Sequence, residues 1–281
     1  MENEYLNNVP SYLYHYTSVD VLALILKNHT IRLHPLSSMD DPQEARNADL
    51  KRLGDYIFVS SWTEDSEESI PMWRLYTNPE SGVRIKMKAN PFERRRTLIS
   101  EFANSTKTLL SNDQDPMTKI DTFLDLSVLV REKIMSPQAY GGKVLFKMEY
   151  SDDMTLLEPK TLNIDGSQVS IDFSKLGKVK SKYWQFQKEW RYLMQFMSFN
   201  MQGSVEDILA SFTKSVNRLV MNRETPPFYY YDLKLNDTAF FDMEITKSPN
   251  ISAGNEEIIE LLVQKYNPSA QVIDSELRGN L

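Results

Sequence analysis

Three short stretches set side chains capable of chemistry next to one another. The first, Tyr14-His15-Tyr16-Thr17-Ser18, carries an imidazole at the end of an aromatic segment, with two hydroxyl residues behind it. An imidazole there can donate or accept a hydrogen bond beside a helix N-terminus, whose unpaired N–H groups attract anions. The second is Ser60-Ser61-Trp62-Thr63-Glu64, followed by Met72-Trp73-Arg74-Leu75-Tyr76. Trp73 and Tyr76 lie three apart and share a helix face, where they could frame a flat ring, although aromatics at that spacing usually fill a core. The third is Gln187-Lys188-Glu189-Trp190-Arg191. A strand beginning near Gln187 puts Gln187, Glu189 and Arg191 on one face and Trp190 and Tyr192 on the other. Arg191 then favours the ionised form of Glu189. Such a carboxylate suits hydrogen bonding to a sugar hydroxyl and stabilising nearby positive charge; the alternative is an ordinary Glu–Arg pair on an edge strand.

The elements that must position these groups follow from periodicity. An aromatic strand at 12–16 runs through a Thr17 or Ser18 cap into a helix ending near Asn28. Residues 29–42 read as loop, and 43–53 as a short helix. A buried strand at 56–62 precedes a short helix bearing Met72, Trp73 and Tyr76. Residues 82–88 alternate as a strand with one wet face. Between 91 and 136 the apolar residues fall on helical spacing, predicting a helical insertion of two helices packed on a sheet. Strands are expected at 143–150 and 189–196. The remainder predicts a helix at 205–213, strands at 216–221, 229–235 and 241–246, a helix at 255–266 and a strand at 271–273. With no repeat and no Gly/Ser or Pro linker, the expectation is one α+β domain over residues 1–281.

Composition narrows the chemistry. Thirty-two Lys and Arg against 39 Asp and Glu leave a net charge of −7, which argues against a general nucleic-acid coat. The basic groups Arg94-Arg95-Arg96 and Lys175, Lys178, Lys180 and Lys182 read as solvated faces, or as guides for a phosphate-bearing acceptor. The 281 residues contain no cysteine, so disulfides, thiolate metal sites and cysteine nucleophiles are excluded, and a cytoplasmic location is expected. Three histidines (His15, His29, His34) leave little for a transition metal, and no metal is expected. No apolar run is long enough to span a bilayer, and no G-x-G-x-x-G, P-loop or G-x-S-x-G motif occurs. The expectation is a soluble protein without a membrane partner.

Taken in order, several motifs resemble a bacterial family described as a domain of unknown function. They are His15-Tyr16-Thr17, Ile31-Arg32-Leu33, Met39-Asp40-Asp41-Pro42-Gln43-Glu44, Ser61-Trp62-Thr63-Glu64, Met72-Trp73-Arg74-Leu75-Tyr76, Gly82-Val83 and Glu189-Trp190-Arg191. The resemblance spans about residues 12 to 192. That family in turn looks like a remote branch of the ADP-ribosyltransferase superfamily of the His-Tyr-Glu kind. The resemblance implies a mixed, mainly antiparallel sheet and NAD as substrate. His15 would hold a ribose and the nicotinamide amide, Tyr76 (or its rival Trp73) would stack on nicotinamide, and Glu189 would bind the nicotinamide-ribose 2′-hydroxyl. Tyr16, Thr17, Ser18, Ser61 and Arg191 would support the NAD site, and Gln187 would face the acceptor. Two departures are Asp40, where the family usually has asparagine, and Gln187, where many relatives carry glutamate. The implied activity is transfer of ADP-ribose to a protein, nucleic acid or small molecule, in a toxin or phage-defence setting. Water as acceptor would make it an NAD glycohydrolase. A module that binds a nucleotide or a protein without turnover is the reading from a different class.

Overall fold

The computed structural model describes residues 9–98, 119–140, 142–166, 168–198, 200, 203–223 and 225–279. Its centre is a nine-stranded sheet. The strands are β1 (Tyr12–Ser18), β2 (Thr30–Pro35), β3 (Ile57–Thr63), β4 (Gly82–Lys88), β5 (Leu145–Lys147), β6 (Glu189–Gln195), β7 (Tyr231–Lys234), β8 (Glu244–Lys247) and β9 (Gln271–Ile273). Along the main path the order is β7-β2-β3-β1-β4-β8-β9, and β6 lies between β3 and β5. The pairings are antiparallel except β8 with β9. This is a mixed α+β fold with a mainly antiparallel sheet.

Helix α1 (Val19–Asn28) follows β1 directly, because Ser18 caps it: its Oγ accepts from the Val21 N–H, and Asp20 sits in the first turn. α1 buries Leu22, Ile25 and Leu26 against the sheet, beside α4 (Ala253–Tyr266), which contributes Ile259 and Val263 to the same core. The opposite face holds a second apolar cluster around Leu36, Leu53, Ile57, Val59 and Leu193. Two more helices matter below or at the margins: α2 (Ile70–Tyr76) and α3 (Val205–Val220).

Several expectations are corrected. Residues 29–42 contain β2, whose buried Ile31 and Leu33 alternate with Arg32 and His34; its period of two is present in the sequence but short. No helix covers 43–53. There the Asp41 and Asn47 side chains accept from the N–H groups of Gln43 and Leu50 and hold turns instead. The flanks of the expected helical insertion pair as a two-stranded ladder, Arg95–Leu98 with Lys119–Thr122, followed by a helix at Leu126–Arg131 that Asp125 caps. The part of that insertion at 99–118 lies outside the described residues. The strand expected at 143–150 breaks at Met148, where Glu149–Ser151 leaves β6 to pair with Val179–Ser181. α3 runs on to Val220, through the strand expected at 216–221, since Val216 and Leu219 continue its buried stripe from Ile208. Asn236 caps a short helix, Asp237–Phe241, between two expected strands, and the second of these begins at Glu244 rather than at 241. The face of β4 expected to be wet is in part covered: Arg84 is buried under Tyr14 and donates to the Ser66 carbonyl.

The Ser18 cap yields a stability test. Ser18→Ala is expected to cost about 1 kcal/mol in urea denaturation, the usual loss on removing an N-cap oxygen.

Candidate functional site

One edge of β3 is shared by two neighbours that do not meet. β2 pairs with its beginning (His34 with Val59, Pro35 with Phe58), and β1 pairs with its end (Tyr14 with Thr63). Among the described residues, Ser60, Ser61 and Trp62 have no strand partner on that edge. A cavity of about 430 Å³ opens at this fork, lined by β1, β2, β3, α1 and the residues around Glu189. Its volume is that of a small-molecule site.

The fork explains how side chains from opposite faces of the sheet reach one space. Directly paired residues share a face, so the register puts Ser61 and Glu189 on the face of Thr63. His15, one residue from Tyr14, points to the other face and stacks on Trp62 at 4.9 Å. Both His15 and Glu189 nevertheless line the cavity. His15 Nδ1 lies 2.9 Å from the unpaired Ser61 carbonyl. A carbonyl accepts and cannot donate, so Nδ1 carries the proton and Nε2 keeps a lone pair. Burial lowers the His15 pKa below its ordinary value, opposed by the Ser61 hydrogen bond, and the ring is neutral near pH 7.

Glu189 belongs to a buried cluster of four charges. Its Oε1 accepts from Arg191 Nε at 2.9 Å and Nη2 at 2.7 Å, and its Oε2 lies 3.1 Å from Lys180 Nζ. Glu44 pairs with Lys180 at 3.0 Å and with Arg191 on its other oxygen. Glu44, Lys180, Glu189 and Arg191 are each at most 5% exposed. Two acids thus balance two bases. Burial alone would raise the Glu189 pKa, but the charges of Arg191 and Lys180 outweigh it and hold the carboxyl below the ordinary range. Gly177, at φ 74, turns the chain so that its carbonyl accepts from Arg191 Nη1 at 3.3 Å.

Gln187 is not on the strand. It ends a 3-10 turn (Lys182–Gln187), and Lys188 adopts φ 44 before β6 begins at Glu189. Its side chain still joins the cluster: Oε1 accepts from Lys180 at 2.9 Å, and Nε2 donates to the Tyr76 hydroxyl. Burial, followed by the nearby charges of Asp40 and Glu189, raises the Tyr76 pKa, so its hydroxyl stays protonated.

The structure therefore brings His15, Tyr16, Thr17, Ser61, Tyr76, Gln187 and Glu189 to one cavity. Three expected residues stand apart from its lining. Ser18 caps α1, Arg191 lies behind Glu189, and Trp73 is buried edge-on to Tyr16 with its Nε1 donating to Glu68 at 2.8 Å. The buried, doubly occupied Gln187 amide serves the cluster. The sequence attaches no role to Glu44, Arg32 or His34, and presents Lys180 as part of a solvated face or of a guide for phosphate rather than as a buried partner of two acids. The signal for Glu44, Arg32 and His34 was their place in or beside the quoted motifs. For Lys180 none was available, because its alternation with Val179 and Ser181 looks the same on a wet strand. Among the described residues, no cluster of three His, Asp or Glu is placed to hold a metal, and no helix is long and apolar enough to cross a membrane. No protein-family model, curated protein or solved structure matches the chain.

Two tests follow from this geometry. Glu44→Ala leaves Lys180 and Arg191 with one counter-charge between them and is expected to destabilise the fold by about 3–5 kcal/mol in equilibrium denaturation. The His15 pKa is depressed from 6.5, so the unfolded chain binds the extra proton first. Stability should fall as pH drops below about 6.5, and His15→Gln should flatten that slope in part. His34, whose pKa burial also lowers, supplies a further share.

Proposed function

We propose that this cavity binds NAD and cleaves its nicotinamide–ribose bond, transferring ADP-ribose to an acceptor as an ADP-ribosyltransferase does. The observation that carries the reading is the convergence of His15, Tyr76 and Glu189 on one cavity from widely separated parts of the chain. The chemistry suits these groups. As the C1′–N bond breaks, its electron pair leaves with nicotinamide and positive charge develops on the ribose. An ionised Glu189, accepting a hydrogen bond from the 2′-hydroxyl, stabilises that charge where water is excluded. The acceptor then bonds to C1′ and releases its proton to solvent. His15 Nε2 offers a lone pair to a ribose hydroxyl, and Tyr76 walls the nicotinamide. Lys180 and Arg191 hold the carboxylate in place, and the Ser61 hydroxyl, which also hydrogen-bonds to it, gives way to the sugar hydroxyl.

A second reading is favoured by the balanced charge of the cluster, which a fold could keep for structure alone: a nucleotide-binding module without turnover. Incubation with NAD separates the two. Wild type is expected to release nicotinamide, and Glu189→Gln, which keeps the shape and removes the charge, should lose at least about 100-fold in rate, with His15→Ala also impaired. Free ADP-ribose identifies hydrolysis, and label on a macromolecule identifies transfer. Binding without nicotinamide release from wild type would leave the module reading.

A further inference from the structure

We infer that Thr30, Arg32 and His34 form a diphosphate subsite at the end of the cavity away from Glu189. The three alternate along β2, and all three line the cavity. His34 pairs with Val59 and Glu189 with Thr63, so the register sets this row on the same face of the sheet as Glu189. Four residues of β3 separate those two rungs, about 13 Å at ~3.3 Å per residue. With side chains reaching in from both ends, an extended ribose 5′-diphosphate bridges that gap.

The row is a line of donors: a hydroxyl, a guanidinium and an imidazole. Arg32 spends Nε and Nη2 on Asp232, at 2.8 and 2.9 Å, which leaves Nη1 and the second Nη2 proton for a ligand. The Tyr230 ring stacks on the guanidinium at 3.5 Å and holds its plane, while the side chain remains 36% exposed. A planar, oriented guanidinium suits phosphate oxygens. Asp232 lines the cavity too, so it opposes an anion while it orients Arg32.

With Arg32 set against Asp232, the β2 end carries no net charge, and the other end is the more negative. There Glu44 and Glu189 hold Lys180, with Arg191 behind, and Asp40 near Tyr76 adds an excess of one negative charge. A ligand with an anionic end and a neutral or cationic end is thus given one direction: phosphates toward β2, sugar and ring toward Glu189. The orientation rests on the proposed NAD reading. The affinity of the β2 row for a diphosphate does not.

The test is calorimetric titration with ADP. Arg32→Ala should weaken ADP binding by roughly ten-fold or more, the size of a lost charge-assisted hydrogen bond, and His34→Ala should weaken it to a lesser degree. Asp232→Asn is the decisive variant, because it keeps the shape and removes the opposing charge: ADP should bind several-fold tighter. A residue pair with a merely structural role would weaken binding, if it changed it at all, in both variants. No ADP binding by wild type, indifference to Arg32, or weaker binding in Asp232→Asn each overturns the subsite. NAD cleavage with ADP binding indifferent to Arg32 would leave the activity standing without it. ADP binding through Arg32 in a protein that never cleaves NAD would leave the subsite and remove the activity.

Discussion

The arrangement depends on a shortage of backbone partners along one edge of β3. Strand edges are normally paired or covered, since each unpaired N–H and C=O is costly once it leaves water. Here β2 and β1 take the two ends of that edge and leave Ser60 to Trp62 between them. The Ser61 carbonyl finds its donor in the His15 ring. The gap in the sheet is thus a structural problem with a side-chain solution, and the solution places an imidazole on the cavity wall.

The charge cluster is the second constraint, and it works against the hydrophobic logic of the core. Taking four ions out of water is expensive, and their mutual attraction repays this only when geometry and hydrogen bonding are good. Lys180 meets three acceptors, Glu44, Gln187 and Glu189, one for each of its N–H groups. Arg191 is held by both acids and by the Gly177 carbonyl. A cluster this complete fixes the carboxylate rotamer without solvent. It also ties four distant segments together: the turns after β2, the short strand at Val179–Ser181, the turn before β6, and β6 itself.

Much of this was legible in the sequence where local signals and tertiary demands agree. β1 and α1 were readable because aromatic residues, a capping serine and a helical apolar stripe follow one another without conflict. The same holds for β3, β4, β6 and the closing α4–β9 unit. The signal failed where side chains override propensity. Asp41 and Asn47 turn a helical-looking stretch into loops, and α3 absorbs the expected strand because its buried face continues through Val216 and Leu219. Of the candidate site, His15 and Glu189 stood out by residue type, and the family resemblance alone attached roles to them. The β2 end stood in the sequence only as part of a motif with no role attached, because Arg32 and His34 acquire meaning through strand register, which no local pattern encodes.

The hydrogen bond from His15 to Ser61 has one more consequence. With its proton committed to the backbone, the ring presents pure basicity to whatever enters: it welcomes a group that brings its own hydrogen and repels an ether or ester oxygen of the same size. At that position a hydroxyl is therefore favoured over an ether oxygen, a preference set by the main-chain carbonyl of Ser61 on the ring's other nitrogen.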